Sequence, residues 1–195
     1  NRGFPFALLI GIAINPYFIK TVHDSPDYVH TLSDEYAQAE KRVGMIADKL
    51  AGRLISKGYK ALSQSDNALI TENTFDFATK TSVLPHKTIA VLSGTGYIGK
   101  NNLFITAEYG AAQCLGSVLT NAPLSIMEHE IKSSQCGNCN ICRDVCPQKA
   151  LNGVVWDMNV SRDEIVNVYD CVTCLKCLVY CPKTQAYMKR HITMK

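Results

Sequence analysis

The pattern C-x2-C-x2-C-x3-C-P occurs twice in this chain, and it restricts the fold more than any other feature. The first copy is Cys136, Cys139, Cys142, Cys146 and Pro147; the second is Cys171, Cys174, Cys177, Cys181 and Pro182. Gaps of two residues wrap the backbone around three corners of one polynuclear centre. The fourth thiolate, three residues on, points away to another centre. Zinc sites usually pair two C-x2-C units and have no use for a third and fourth cysteine followed by proline. Eight of the nine cysteines fall in these two runs. Disulfide frameworks rarely repeat such a run, so a reducing compartment, the cytoplasm, is expected.

The spacing matches the bacterial ferredoxin run and predicts two [4Fe–4S] clusters that share ligands across the motifs. The metal ligands of the first cluster would be Cys136, Cys139, Cys142 and Cys181. Those of the second would be Cys171, Cys174, Cys177 and Cys146. Cys114 has no partner at metal spacing and reads as a small buried hydrophobe. The five histidines, His23, His30, His86, His129 and His191, show no metal spacing either.

With 195 residues, 47% of them hydrophobic, the chain can bury one full core and a small second module. Its net charge of +3 comes without a dense basic run, so composition argues little for nucleic acid. The longest apolar run, Phe4 to Ile14, is too short to span a bilayer and reads as a buried strand. No small-residue cleavage site follows it, so a signal peptide is not expected. The chain opens on Asn1 rather than Met, which leaves room for a natural N-terminus upstream.

Periodicity predicts a strand over Phe6–Ile14, ended by Asn15-Pro16, and a helix over Ser33–Lys57 with Ser33-Asp34 as cap and Gly58 as stop. Tyr59–Gln64 alternates like a strand. Asn67–Lys87 reads as a loop-rich connection with one short helix. Leu103–Thr106 and Cys114–Thr120 read as two strands joined as a hairpin across Glu108-Tyr109-Gly110. A junction is expected near residues 123 to 133.

The stretch SGTGYIGKNN contains a G-x-G-x-x-G at Gly94, Gly96 and Gly99. A dinucleotide site needs a strand before such a loop, a helix opening inside it and an acidic residue about twenty positions on. Thr88–Leu92 reads as strand or helix, a β-like run follows the loop, and Glu128 and Glu130 lie too far along. The residues leave open a tight structural turn.

LPHKTIAVLSGTGYIGKNNLFITAEYG, then LGSVLTNAPL, then two ferredoxin motifs, resembles the epoxyqueuosine reductase family. The likeness is closer to its shorter relatives with a double [4Fe–4S] cluster. The family segment G-x-G-[WY]-I-G-K-N is matched from Gly94 to Asn101. The resemblance implies an α+β architecture, with a nitroreductase-like α/β domain that binds cobalamin (residues 1–128) before a ferredoxin-like two-cluster domain (129–195). It implies that Gly94, Gly96, Tyr97, Gly99, Lys100 and Asn101 line the corrinoid pocket.

A cobalamin-dependent oxidoreductase follows from the resemblance, with electrons passing from the clusters to the corrinoid and on to a small substrate. The other reading is a non-catalytic electron-transfer protein, or a reductive activator of a corrinoid protein. A ferredoxin or flavodoxin is the implied electron donor, and no membrane span is expected. Where the family carries an acidic proton donor in Arg-Asp-Tyr-His, this chain has Asp34-Glu35-Tyr36-Ala37. Glu35 reads as a substitute donor or as an exposed helix carboxylate. The C-terminal extension that helps the family grip tRNA is absent, so tRNA is not the expected partner.

Overall fold

The computed structural model describes residues 3–126 and 129–192. The chain folds as mixed helix and sheet. A central three-stranded antiparallel sheet has the order β1-β7-β2, from β1 (Phe6–Ala13), β2 (Ala61–Ser63) and β7 (Gln113–Thr120). Successive strand residues point to opposite faces, so β1 serves two cores. Leu8 and Ile10 pack under helix α2 (Glu35–Ser56) with Ala47, Ala51 and Val118. Leu9 faces Ala90, Val91, Ile98 and Phe104 on the other side.

Helix α2 lies within the expected span. Its cap, Asp34, accepts hydrogen bonds from the backbone N–H groups of Ala37 at 2.9 Å and Thr31 at 3.1 Å, and from the Tyr28 hydroxyl. His30 Nδ1 lies 2.7 Å from the same carboxylate. Burial alone would raise the Asp34 carboxyl, but these hydrogen bonds outweigh it and hold it down to about 2. A folded-state value below the unfolded one means stability that is present above pH 4 and lost as pH falls toward 2. Asp34→Ala is expected to cost about 1–2 kcal/mol at neutral pH. In urea unfolding, the gap between variant and parent should narrow from pH 7 to pH 3.5.

Helix α1 (Pro16–Asp24) was not anticipated. The Asn15 side chain accepts from the Tyr17 N–H at 2.9 Å, and Pro16 occupies the first turn. Asn-Pro was read only as the end of a strand, whereas a capping residue followed by proline also opens a helix. The connection after β2 holds more structure than one helix. It carries α3 (Asp66–Thr71), a small β3–β4 ribbon (Phe75–Asp76 with Thr81–Ser82) and the start of α4 (His86–Leu92). The ambiguous Thr88–Leu92 run is therefore helical.

The expected hairpin between Leu103–Thr106 and Cys114–Thr120 does not form. Both edges of β7 are taken, by β1 along eight residues and by β2. β6 (Phe104–Thr106) instead pairs back onto β5 (Gly96–Ile98), so the glycine stretch is itself a strand. A Cβ at Gly96 would collide with the Ile105 carbonyl, and glycine is what permits this close pairing.

Beyond the sheet come short helices α5 (Ile141–Asp144), α6 (Arg162–Ile165) and α7 (Lys176–Val179), then α8 (Pro182–Ile192). Leu175, Leu178, Val179, Tyr187 and Met188 share one core cluster with Ile14, Ile19, Val43 and Ile105. The Tyr187 hydroxyl donates to the Ile14 carbonyl at 2.9 Å. Glu128, the last residue of the expected first domain, lies outside the described residues. Among those described, no helix is long and apolar enough to cross a membrane.

Candidate functional site

Short turns aim the cysteines inward. The Cys139 N–H bonds the Cys136 carbonyl at 2.9 Å, Cys142 rides on α5, and Cys177 rides on α7 behind a left-handed Leu175 at φ +61°. Two cavities result. The first, about 140 Å³, is lined by Cys136, Cys139, Cys142 and Cys181. The second, about 210 Å³, is lined by Cys146, Cys171, Cys174 and Cys177. Each takes three cysteines from one motif and the fourth from the other.

The chemistry of the donors fits a polynuclear iron–sulfur centre. Among the described residues, no carboxylate or imidazole lines either cavity. Burial pushes the Cys142 thiol up to about 11 and raises Cys177 and Cys181 too, so a positive centre is needed to hold these sulfurs as thiolates. Among the described residues no group of three or more His, Cys, Asp or Glu side chains is gathered closely enough to hold a metal ion. A lone zinc draws its sulfurs to about 2.3 Å from one point, whereas a cluster binds each thiolate to a different iron. The Tyr97 hydroxyl lines the first cavity, buried and without a hydrogen-bond partner. It offers a donor to an acceptor held there. Burial and then the charges of Cys136, Cys181 and Cys139 push its pKa up to about 12, which keeps that proton in place.

The glycine segment runs past these cavities. Tyr97, Lys100 and Asn101 line the first, and Asn101 also lines the second. Lys100 Nζ donates to Asn140 Oδ1 at 3.1 Å, and Asn101 Nδ2 donates to the Cys177 carbonyl at 3.1 Å. Gly99 packs against Ile105, and Gly94, at φ +66°, backs onto His129. A helix precedes the segment and a strand follows it, the reverse of a dinucleotide-binding turn.

No family model matches the chain. An epoxyqueuosine reductase of Lactococcus garvieae is 32% identical over 100 residues, covering 51% of this chain and 28% of that protein. The structure of an epoxyqueuosine reductase from Streptococcus thermophilus superposes with a TM-score of 0.55 at 18% identity, over 94% of this chain and 50% of the other. This is an epoxyqueuosine reductase-like chain.

A reductive dehalogenase described with a mechanism for B12-dependent dehalogenation shares the fold, with a TM-score of 0.61 at 17% identity over 88% and 23% of the two chains. An epoxyqueuosine reductase bound to a tRNA stem loop aligns at 0.50 and 22% identity over 72% and 37%. The epoxyqueuosine reductase-like chain thus spans half or less of each of these proteins.

Several residues of the epoxyqueuosine reductase-like chain were not singled out by pattern. A third cavity, about 910 Å³, opens between α4 and the sheet; Leu9, Gln64, Ser93, Thr95 and His129 are among its walls. Ser93 and Thr95 flank Gly94. Tyr36 and Lys87 line the second cavity. Tyr36 had a signal, its place in the Asp34–Ala37 segment; Lys87 had one too, its place in the LPHKTIAVL run that opens the family-like segment. Glu35 is bound to Arg42 at 2.9 Å and lines none of these cavities. Cys114 is buried, its thiol pushed up to about 12 chiefly by desolvation, which leaves it unreactive.

Proposed function

We propose that this chain is an iron–sulfur redox protein with two [4Fe–4S] clusters that reduces a corrinoid and, through it, a small organic substrate. The observation that carries the reading is the sorting of eight cysteines into two four-cysteine cavities drawn reciprocally from both motifs. Cys136, Cys139, Cys142 and Cys181 would hold one cluster, and Cys171, Cys174, Cys177 and Cys146 the other. Bound there, such clusters accept and release single electrons at potentials set by charge, hydrogen bonds and solvent exposure. The chain's own contribution is to bury Cys142 and Cys181, present the Tyr97 hydroxyl and exclude water with Ile105 and Leu178.

The third cavity suits a large flat ligand with amide edges. Leu9 and Leu119 give it apolar walls, while Gln64, Ser93 and Thr95 supply hydrogen-bonding groups beside Gly94. In this reading residues 1–128 form a nitroreductase-like corrinoid-binding part and 129–195 the two-cluster part. The donor is a ferredoxin or flavodoxin in a reducing cytoplasm. Pairing of Glu35 with Arg42 favours a second reading, an electron carrier without its own proton donor.

Anaerobic reconstitution separates these. Iron and sulfide near about eight each per chain are expected, followed by saturable change of the corrin absorption bands as cobalamin is titrated in. Full iron with an unaltered corrin spectrum leaves the carrier reading. Saturable tRNA binding with a steep salt slope would instead point to tRNA as the substrate, a stem loop of which is bound in the structure of one epoxyqueuosine reductase.

A further inference from the structure

Two lysines stand against the two cysteine cavities, and neither has a carboxylate partner. Lys100 is 5% exposed, and its ammonium is held by the Asn140 side-chain carbonyl. Lys87, on α4, donates to the Asn102 carbonyl at 2.8 Å. Neither joins any ion pair found among the described residues. Burial, then the nearby Arg162, pushes Lys87 down to about 8, as expected of a cation lacking an anion. Carbonyl oxygens orient such an ammonium without neutralising it, and burying an unbalanced charge is costly. Each lysine instead lines a cavity with four cysteines that can carry negative charge: Lys100 the first and Lys87 the second. Lys183 also lines the first cavity but is exposed, so water and salt screen it.

We propose that Lys100 and Lys87 are the counter-charges of the two clusters, one apiece, and that each sets the reduction potential of its own cluster. This rests on the two-cluster reading above. Reduction of a cluster by dithionite adds one electron and one unit of negative charge; no bond breaks and no proton needs to move. A fixed cation close by, shielded from water, stabilises the reduced form more than the oxidised one. Removing that cation therefore lowers the potential of the facing cluster and leaves the other nearly unchanged. Asn101, which lines both cavities, contributes a dipole to each but no net charge.

The test is a redox titration of reconstituted full chain, followed by electron paramagnetic resonance, for the parent, Lys100→Gln, Lys87→Gln and the surface control Lys49→Gln. Iron is counted first. Iron well short of eight in the parent would refute the two-cluster reading itself, separately from the charge assignment. With clusters loaded, each glutamine variant should lower one midpoint, a different one in each, by a shift on the order of tenfold in the reduced-to-oxidised ratio, or about 59 mV for one electron. Lys100→Arg and Lys87→Arg should restore the parent values, and Lys49→Gln should leave both unmoved. Unshifted midpoints, or equal shifts of both from either variant, would overturn the proposal. A glutamine variant that fails to hold its cluster while the arginine variant holds it supports the need for charge. Loss in both points to packing and overturns the assignment.

Discussion

Cys181→Ala should remove the cluster of the first motif, although Cys181 belongs to the second. Bound iron is expected to fall from about eight to about four atoms per chain, and the surviving signal should depend on Cys171, Cys174 and Cys177. The reason is spatial. Cys181 immediately precedes α8 and lines the cavity of Cys136, Cys139 and Cys142. Cys146→Ala should do the converse, because Cys146 lines the cavity of the second motif, where its sulfur also accepts the Ala150 N–H at 3.3 Å. Iron analysis of Cys181→Ala combined with Cys139→Ala makes the check sharper. Both residues line one cavity, so the double variant should retain the same iron as the single. Loss of all iron from the double variant, or loss of only the second-motif cluster from Cys181→Ala, would refute reciprocal ligation.

Gly110→Val should unfold the chain around that same ligand. Gly110 has φ +59°, closes the tight loop after β6 through paired backbone bonds with Thr106, and lies against the first turn of α8. Any Cβ there would collide with the Thr184 nitrogen and the Lys183 carbonyl carbon, which are backbone atoms that cannot rotate aside. The neighbouring Ala111 N–H bonds Thr184 Oγ1 at 3.0 Å, so a displaced loop also strands a buried hydroxyl. Strain at a left-handed position, the clash and the lost bond together should cost on the order of 3–5 kcal/mol. The first cluster should become labile because Cys181 is carried on the displaced turn. Gly52→Ala, on the exposed surface near the C-terminal end of α2 with nothing within 4 Å of a new Cβ, should instead stabilise by about 0.5–1 kcal/mol. Urea unfolding of the three chains reads both signs. Equal stability of Gly110→Val and parent would show that the contact between this loop and α8 is not needed.

Some of this was legible from local chemistry. The long α2 helix showed itself through apolar spacing and an aspartate cap, and the sorting of eight cysteines could be proposed because thiol spacing is fixed by cluster geometry. Strand β7 was visible as an apolar run, but its partners were not. Pairing of Leu103–Thr106 with the glycine strand rather than with β7 depends on which edges are already occupied. No window of a dozen residues contains that information. Asn15-Pro16 carried two meanings, strand stop and helix start, and both proved true.

The glycine segment divides the two kinds of knowledge most sharply. By itself the sequence determined that Gly94, Gly96 and Gly99 permit close backbone approach, because a missing Cβ is a local property. It also determined the expectation of a polynuclear site on the cysteine runs, because ligand spacing is a local property too. Only the tertiary structure decided that the close approach is made by Ile105 and His129, that Lys100 and Asn101 turn toward the cysteines, and that Lys87 arrives from another helix to face the second set. Side-chain direction and burial are set by what packs around a segment, and here the packing elements are far apart in the chain.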